Sequence, residues 1–335
     1  MTLKRGKIKW GIIGPGKIAD KFAFDLQHSK NAVIHAVASR DIEKAKRFSH
    51  KYNTARYYDS YEALAKDPEI NIVYVATPHA FHFENTMLCL RNAKAVLCEK
   101  PLGTSTQEVK RMFEEATSRN LFLMEGLWTR FIPVTEKLLA LLNTNAIGDI
   151  QFIRADFGFK ADFNPEGRLF NKKLGGGSLL DIGIYPIFLS LLVLGLPTHI
   201  KAMARLSPTG TDNYCAMLFD YENAAKAVLE STLESDTPTE AHIYGSRGMI
   251  KIHRRFHESQ KISWYQNRAL KETFVLKYEG YGFSYEIEEV NQCLINKKLE
   301  SEKLPHGLSL ALIHLIETVQ EKIRLPGDKQ NPLPS

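Results

Sequence analysis

The sequence contains few cysteines, and none of them is spaced like a metal ligand. Four occur among 335 residues, whereas structural zinc sites place cysteines in close pairs. We therefore expect no metal centre. Small buried thiols without partners are typical of a reducing compartment, which favours a cytoplasmic location. The cysteines are Cys89, Cys98, Cys215 and Cys293.

The sequence also lacks a block of one charge and a long apolar run. Basic residues exceed acidic ones by only six, and they are dispersed, which gives little support to nucleic-acid binding. The longest apolar run, residues 187–196, is about half the roughly 20 residues that span a bilayer. Residues 1–7 are too short and polar for a secretory signal. We expect neither a nucleic acid nor a membrane as partner.

A glycine motif near the N-terminus predicts a dinucleotide site. The apolar residues 8–13 lead into Gly14 and Gly16, and a second apolar run follows at residues 32–38. This is the spacing of a strand, a tight turn, a helix and a second parallel strand, in which glycines let a pyrophosphate approach backbone N–H groups. The alternative is an ordinary strand-turn-helix. The candidate cofactor residues here are Gly14, Gly16, Lys17 and Ile18.

The end of the predicted second strand favours NADP over NAD. It reads Ser39, Arg40, Asp41, with no acidic residue directly at the tip. A carboxylate there would bond a ribose hydroxyl and repel a 2′-phosphate, whereas a hydroxyl followed by a guanidinium suits that phosphate. Two alternatives remain open: Arg40 is a solvated loop residue, and Asp41 either binds the ribose or caps the next helix.

The order of elements predicts two α/β domains. Strands and helices alternate through residues 1–127, as in a doubly wound parallel sheet. Beyond residue 128 the segments 150–159, 199–206, 214–221 and 224–233 resemble antiparallel strands, and two late helices are predicted at 285–297 and 308–323. We assign a Rossmann domain to residues 1–127 and a second domain to residues 128–330. Ligands of parallel sheets bind at the carboxyl ends of the strands, here residues 14–19, 77–79 and 99–101.

A glycine run at residues 175–177 precedes a carboxylate and a phenol. Asp181 and Tyr185 are four residues apart, so on a helix they share one face and can enter one pocket. The alternative is that Ser178 and Asp181 form a capping box, with Tyr185 as a buried neighbour. Pro186 disfavours a helical conformation at Tyr185.

Three motifs together resemble the glucose-fructose oxidoreductase / inositol dehydrogenase (Gfo/Idh/MocA) family. They are the glycine pattern at 11–19, the Glu99-Lys100-Pro101 triplet, and the glycine run with Asp181 and Tyr185. Residues 97–101, 122–125 and 128–131 resemble more narrowly the dimeric dihydrodiol dehydrogenases, NADP enzymes that oxidise trans-dihydrodiols of aromatics and D-xylose. The resemblance implies a Rossmann domain followed by an α/β domain whose open, mostly antiparallel sheet often forms a homodimer interface.

The resemblance also implies roles for individual residues. Lys100 would lie beside the nicotinamide and the reacting hydroxyl, with Asp181 and Tyr185 facing it. His79 stands where many members have asparagine, and Tyr185 where many have histidine. Further residues implied along the cofactor are Thr77, Pro78, His82 and Glu99, and Trp128 and Phe157 would line the substrate pocket. Arg130 would either reach a cofactor phosphate or form an ion pair on the surface. His306 precedes the last predicted helix and is expected to be a helix cap or a surface residue.

Proton transfer from a carbinol requires a base near its oxygen. We expect Tyr185 to serve as acid/base, with Lys100 lowering the pKa of the phenol and Asp181 orienting the pair. The predicted function is an NADP-dependent oxidoreductase acting on CH–OH or dihydrodiol CH–CH groups of a vicinal diol or aldose. The alternatives are an NAD-dependent sugar or inositol dehydrogenase, and a regulator that senses NAD(P) without catalysis. The presence of lysine, aspartate and tyrosine together favours an enzyme.

Overall fold

A computed structural model describes residues 6–323. The first sheet has six parallel strands in the order β3-β2-β1-β4-β5-β6. Its central strands are continuous apolar runs because helices cover both faces. The strands are β1 (Ile8–Ile13), β2 (Ala32–Ala38), β3 (Arg56–Tyr58), β4 (Ile72–Val75), β5 (Ala95–Glu99) and β6 (Leu123–Gly126).

Side-chain hydrogen bonds cap the N-termini of three of the helices between these strands. The side chain of Asp41 caps α2, and Ser60 and Ser105 cap α3 and α5 in the same way. The strand order reverses between β1 and β4, which opens a crevice at the carboxyl ends of the strands. The helices are α1 (Lys17–Leu26), α2 (Ile42–Tyr52), α3 (Tyr61–Lys66), α4 (His82–Arg91) and α5 (Thr106–Ser118).

The second sheet has eight strands in the order β14-β13-β12-β11-β7-β10-β9-β8. All neighbours are antiparallel except β7 and β10. The predicted fold class is therefore confirmed. The strands are β7 (Ile150–Gly158), β8 (His199–Leu206), β9 (Asp212–Asp220), β10 (Lys226–Thr232), β11 (Ala241–Gly245), β12 (Gly248–Ile252), β13 (Lys261–Gln266) and β14 (Ala269–Val275).

Four more helices follow β6 in the chain: α6 (Pro133–Asn143), α7 (Ile184–Leu194), α8 (Ser284–Ile295) and α9 (His306–Ile323). The last two return to the first sheet, where α8 packs on α1 and α9 on α5. The indole of Trp10 in β1 donates a hydrogen bond to Asn291 in α8 at 3.2 Å. The outer ends of the assigned domains, residues 1–5 and 324–330, lie outside the described residues.

One helical stretch of the described chain, Lys172–Leu194, is long and apolar enough by length and composition to cross a membrane. However, 83% of its apolar window is buried inside the protein. Its side chains pack between the second sheet and α9, as the core helix of a folded domain does. The same stretch carries Asp181 and Tyr185 to the crevice of the first sheet.

Candidate active site

The crevice at the strand reversal is a cleft of about 720 Å³. Both halves of the chain line it, and all predicted cofactor residues except Arg130 are among the lining residues. The lining residues from the first half of the chain are Gly14, Pro15, Gly16, Lys17, Ile18, Lys21, Ser39, Arg40, Asp41, Lys44, Tyr61, Ala76, Thr77, Pro78, His79, His82, Glu99 and Lys100. The lining residues from the second half are Arg168, Asp181 and Tyr185.

The glycine turn after β1 leaves room for a phosphate group. Gly14 has a φ of +82°, and a Cβ atom there would lie 2.9 Å from the carbonyl oxygen of Ala76. Gly16 caps α1 without a side-chain hydrogen bond, and a Cβ on it would meet no atom closer than 4.0 Å. The first N–H groups of α1 have no acceptor within the helix. These features fit the pyrophosphate of a dinucleotide.

The end of β2 supports the interpretation of Asp41 as a helix cap. Asp41 Oδ1 accepts hydrogen bonds from the N–H groups of Glu43 and Lys44, at 3.0 and 3.3 Å. The exposed guanidinium of Arg40 lies 5.6 Å from the ring centre of Phe81. Two cations, on Arg40 and Lys44, therefore face this end of the cleft, and the carboxylate of Asp41 beside them caps its own helix.

Asp181 and Tyr185 enter the cleft from a distorted helix. Residues Leu179–Gly183 form a π-helical turn, which continues directly into α7. The capping-box alternative is wrong, because the hydroxyl of Ser178 donates to Asp212 Oδ2 at 2.7 Å instead. Pro186 is the third residue of α7 and follows the π-helical turn closely. The helix therefore includes Tyr185 despite the proline.

Asp181 is the centre of a buried charge cluster. Its carboxylate accepts two hydrogen bonds from Arg168, at 2.7 and 3.2 Å, and lies 3.6 Å from the ammonium of Lys100. Lys100 also donates to the backbone oxygen of Asp181 at 2.5 Å. Burial raises the pKa of Asp181, but the charges of Lys100 and Arg168 outweigh burial and hold this pKa below its ordinary value. The carboxylate is therefore ionised.

Tyr185 is a neutral phenol in this structure. Burial raises its pKa above the ordinary value near 10, and the charge of Glu99 raises it further. The ammonium of Lys100 lies 4.9 Å from the centre of the phenol ring and is bonded to Asp181. The prediction that Lys100 lowers the pKa of Tyr185 is therefore wrong here, because the loss of hydration opposes a buried phenolate. The indole of Trp128 donates to the phenol oxygen at 3.3 Å.

Two histidines border the same region. Burial lowers the pKa of His79 to about 3, so its imidazole is neutral, with Nδ1 placed 3.0 Å from the carbonyl oxygen of Gly175. The two ring nitrogens of His82 each lie 2.7 Å from a backbone oxygen, of Pro101 and Thr77. His82 therefore has no free nitrogen for proton transfer to a substrate.

Arg130 does not line the cleft. Its guanidinium donates to the carbonyl oxygen of Lys303 and to Glu136, both at 2.9 Å. Arg130 therefore forms an ion pair, as the alternative prediction had it, but its side chain is buried and not on the surface. His306 begins α9, stacks on Phe113 at 3.9 Å and lies 2.9 Å from the oxygen of Leu123, so it links two helices rather than serving the site.

The predicted aromatic residues Trp128 and Phe157 lie behind Tyr185. The ring centre of Phe157 is 5.7 Å from that of Tyr185. The ring of His257 stacks on Phe157 at 4.3 Å and lies 4.8 Å from the ring of Tyr185, and Phe283 stacks on Trp128 at 4.8 Å. Sequence reasoning identified neither His257 nor Phe283 as part of this group.

Sequence reasoning also missed three cations that line the cleft. Lys21 lies one turn beyond Lys17 on α1, so helical periodicity was a usable signal for Lys21. Lys44 lies in the first turn of α2, just after Arg40 in the chain. Arg168 lies in an irregular segment without periodicity, and no sequence pattern indicates its contact with Asp181.

A dinucleotide cleft bordered by a lysine, a carboxylate and a phenol defines an NAD(P)-dependent oxidoreductase. Comparison with known families agrees with this class. Residues 8–127 match the oxidoreductase family with an NAD-binding Rossmann fold, and residues 135–251 match the GFO/IDH/MocA C-terminal domain. The chain belongs to the Gfo/Idh/MocA oxidoreductase family.

Relatives and solved structures extend this result. The chain is 40% identical over 310 residues to a trans-1,2-dihydrobenzene-1,2-diol dehydrogenase of Xenopus tropicalis, covering 88% of this chain and 91% of the relative. It is 35% identical to the Homo sapiens enzyme of that name, covering 96% and 99%. A 3-ketoreductase from Actinomadura kijaniata, solved in complex with NADP and TDP-benzene, superposes with a TM-score of 0.87 at 27% identity, covering 95% of this chain and 98% of that one.

Proposed function

We propose that the protein transfers a hydride between NADP and a carbinol carbon of a vicinal diol or an aldose. The observation that carries this proposal is the convergence of Lys100, Asp181 and Tyr185 at one end of a cleft whose other end presents Arg40 and Lys44. The names of the relatives support a diol as substrate, and NADP bound in a similar structure supports the cofactor.

The residues divide the chemistry between them. When bound, NADP supplies the hydride acceptor or donor. In oxidation, the ionised form of Tyr185 would take the hydroxyl proton and become the neutral phenol; in reduction, the neutral phenol would give its proton to the carbonyl oxygen. The ammonium of Lys100 stabilises negative charge on that oxygen. Asp181 positions Lys100, and Arg168 positions Asp181.

A turnover screen tests the proposal directly. Purified protein is assayed with NADP and with NAD against aldoses, inositols and trans-dihydrodiols, and in reverse against the corresponding ketones or lactones. Turnover of a diol or aldose with NADP is the expected result. Preference for NAD with an inositol would favour the alternative dehydrogenase, and binding of NADP without any turnover would favour a sensing role.

Arg40→Ala is expected to weaken NADPH binding about tenfold or more and to change NADH binding less than twofold. A charge-assisted hydrogen bond to a phosphate is worth about 1.5–3 kcal/mol, and only NADPH carries the 2′-phosphate. Fluorescence titration gives both dissociation constants. Arg47→Ala is the matched control, because Arg47 is exposed on α2, the helix that follows Arg40, and lies outside the cleft. Equal affinities of the unmutated protein for NADPH and NADH would contradict the assignment.

We also propose that the second sheet forms a homodimer. Met203 is 76% exposed and Leu218 is 39% exposed, and the register of β8 and β9 places both on one face of the sheet, next to Ala216 and Val228. Such a face is suited to a two-fold partner. Sedimentation velocity at micromolar concentration should show a dimer, and Met203→Glu should shift it towards monomer. A monomeric unmutated protein contradicts this proposal.

A further inference from the structure

The π-helical turn that carries Asp181 into the cleft is held at its start by a residue of the second sheet. Asp212 is the first residue of β9 and is not among the residues that line the cleft. Its Oδ2 atom accepts a hydrogen bond from the hydroxyl of Ser178 and another from the N–H group of Leu179, both at 2.7 Å. Leu179 begins the turn. The carboxylate of Asp212 therefore caps this helix from another element of the fold.

The glycine run before the turn leaves room for this carboxylate. Gly177 has a φ of +121°, and a Cβ atom on it would overlap Asp212 Oδ1. A larger residue at this position would therefore push Asp212 away from the helix. The carbonyl oxygen of Gly177 accepts a hydrogen bond from the N–H group of Asp181 at 3.3 Å. The glycine beside the carboxylate is thus bonded directly to the backbone of Asp181.

A second strand of the same sheet holds the turn as well. The hydroxyl of Ser178 lies 2.9 Å from that of Ser231 in β10, and a Cβ atom on Gly183 would lie 2.9 Å from Ser231 Oγ. The start and the end of the turn therefore both rest on side chains of the second sheet. Asp181, between these ends, lines the cleft.

We propose that Asp212 is a positioning residue for the reaction: its carboxylate fixes the π-helical turn so that Asp181 meets Lys100 and the hydroxyl of Tyr185 meets the reacting oxygen. This inference rests on the proposed function and deepens it by naming a residue outside the cleft that holds the site in place. The turn continues directly into the helix of Tyr185, so a shift at its start moves both side chains. A misplacement of reacting groups by about 1 Å can lower turnover by roughly 10²-fold.

The competing explanation is that Asp212 only stabilises the fold, as any helix cap does. In that case Asp212→Ala lowers the unfolding temperature and leaves the turnover of the folded enzyme unchanged. Ser105→Ala is the matched control, because Ser105 caps α5 by accepting from the N–H group of Glu108 at 3.2 Å and lies outside the cleft. Asp212→Asn is the conservative variant, because it keeps an acceptor oxygen for Ser178 and Leu179. Thermal unfolding, recorded first, shows whether each variant is folded.

The first measurement is the steady-state kinetics of the NADP-loaded enzymes with the best substrate. Burial raises the pKa of Asp212 to about 6, so a mildly alkaline buffer keeps its carboxylate ionised. For Asp212→Ala we expect kcat to fall by about tenfold to 10²-fold and the affinity for NADPH to change less than about twofold. Asp212→Asn should keep kcat within about threefold of the unmutated value, and Ser105→Ala should leave it unchanged. An unchanged kcat in Asp212→Ala, or equal falls in Asp212→Ala and Ser105→Ala, overturns the proposal.

The second measurement reports the position of Tyr185 without turnover. The chain contains three tryptophans, and the indole of Trp128 donates to the hydroxyl of Tyr185 at 3.3 Å. Its N–H signal in the NMR spectrum of isotopically labelled protein therefore reports this contact, and Tyr185→Phe identifies the signal as the one that moves. The other two indoles have partners outside the cleft. In Asp212→Ala only the Trp128 signal should move, whereas in Asp212→Asn and Ser105→Ala all three should keep their positions.

The spectrum separates this proposal from the proposed function. A moved Trp128 signal in Asp212→Ala supports the positioning role even if the turnover screen finds no substrate, a result that counts against the proposed function alone. Ser178→Ala removes one of the two donors and keeps Asp212 itself; it should move the same signal by a smaller amount, and it decides the question if Asp212→Ala does not fold. An unmoved Trp128 signal, or equal movement of all three indole signals, overturns the role of Asp212.

Discussion

Tyr185→Phe is expected to lower turnover by roughly 10²-fold or more, the usual effect of removing a positioned proton donor or acceptor. The variant keeps the ring that packs against Phe157 and loses only the hydroxyl that Trp128 contacts. The affinity for NADPH should therefore change less than about twofold. Steady-state kinetics with the best substrate and fluorescence titration of NADPH measure the two quantities.

Tyr221→Phe is the matched control for this variant, because Tyr221 is also buried but lies at the end of β9, outside the cleft. If Tyr185 were only a packed helix residue, Tyr185→Phe would change the free energy of unfolding by about 1 kcal/mol and leave the rate unchanged. Turnover at the unmutated rate would contradict the assignment and make His79 the remaining proton carrier at the cleft.

The pH dependence of the two directions follows from the raised pKa of Tyr185. Oxidation needs the phenolate, which is scarce below that pKa, so the oxidation rate should rise with pH from neutral into the alkaline range, by up to tenfold per unit. Reduction needs the protonated phenol, which is present throughout the neutral range, so its rate should depend little on pH there. The rise should be absent in Tyr185→Phe. A flat oxidation profile in the unmutated enzyme would place the proton elsewhere.

Lys100→Met is expected to have the larger effect, a loss of about 10³-fold or more, because it removes the charge that stabilises the substrate oxygen and leaves Asp181 without the ammonium that it positions. Asp181 keeps its two hydrogen bonds to Arg168, so the variant should fold. Circular dichroism and the unfolding temperature check this point before rates are compared.

The double variant of Lys100 and Tyr185 gives the sharper measurement. When two residues act as one unit, replacing the second costs little once the first has been replaced. The turnover rate of the double variant Lys100→Met with Tyr185→Phe should therefore lie within about threefold of that of Lys100→Met alone. Multiplication of the two single losses would show that the residues act independently, and the mechanism proposed above would then be wrong in its division of roles.

Much of the fold follows from local sequence patterns. The segment predicted at residues 199–206 coincides with β8, because its side chains alternate between exposed and half-buried positions. The late helices start within a few residues of their predicted positions. The strands β11–β14 were not predicted as elements, since they are short and joined by tight turns.

The chemical state of the candidate site depends on burial, which one sequence does not give. The motifs brought Lys100, Asp181 and Tyr185 together correctly in space. They did not indicate that the ammonium of Lys100 bonds Asp181 and leaves the phenol of Tyr185 neutral. The position of Asp181 depends on its contact with Arg168, and the pKa of Tyr185 depends on its burial. Those contacts join segments far apart in the chain.

The return of α8 to the first sheet has a consequence for synthesis on the ribosome. Trp10 is made 281 residues before its hydrogen-bond partner Asn291. The carboxylate of Asp25 in α1 likewise accepts hydrogen bonds from the N–H groups of Tyr281 and Phe283, which are made much later than Asp25. The first sheet and its helices therefore complete their outer layer only after α8 has been released, and a nascent chain stalled at residue 127 holds an unfinished domain.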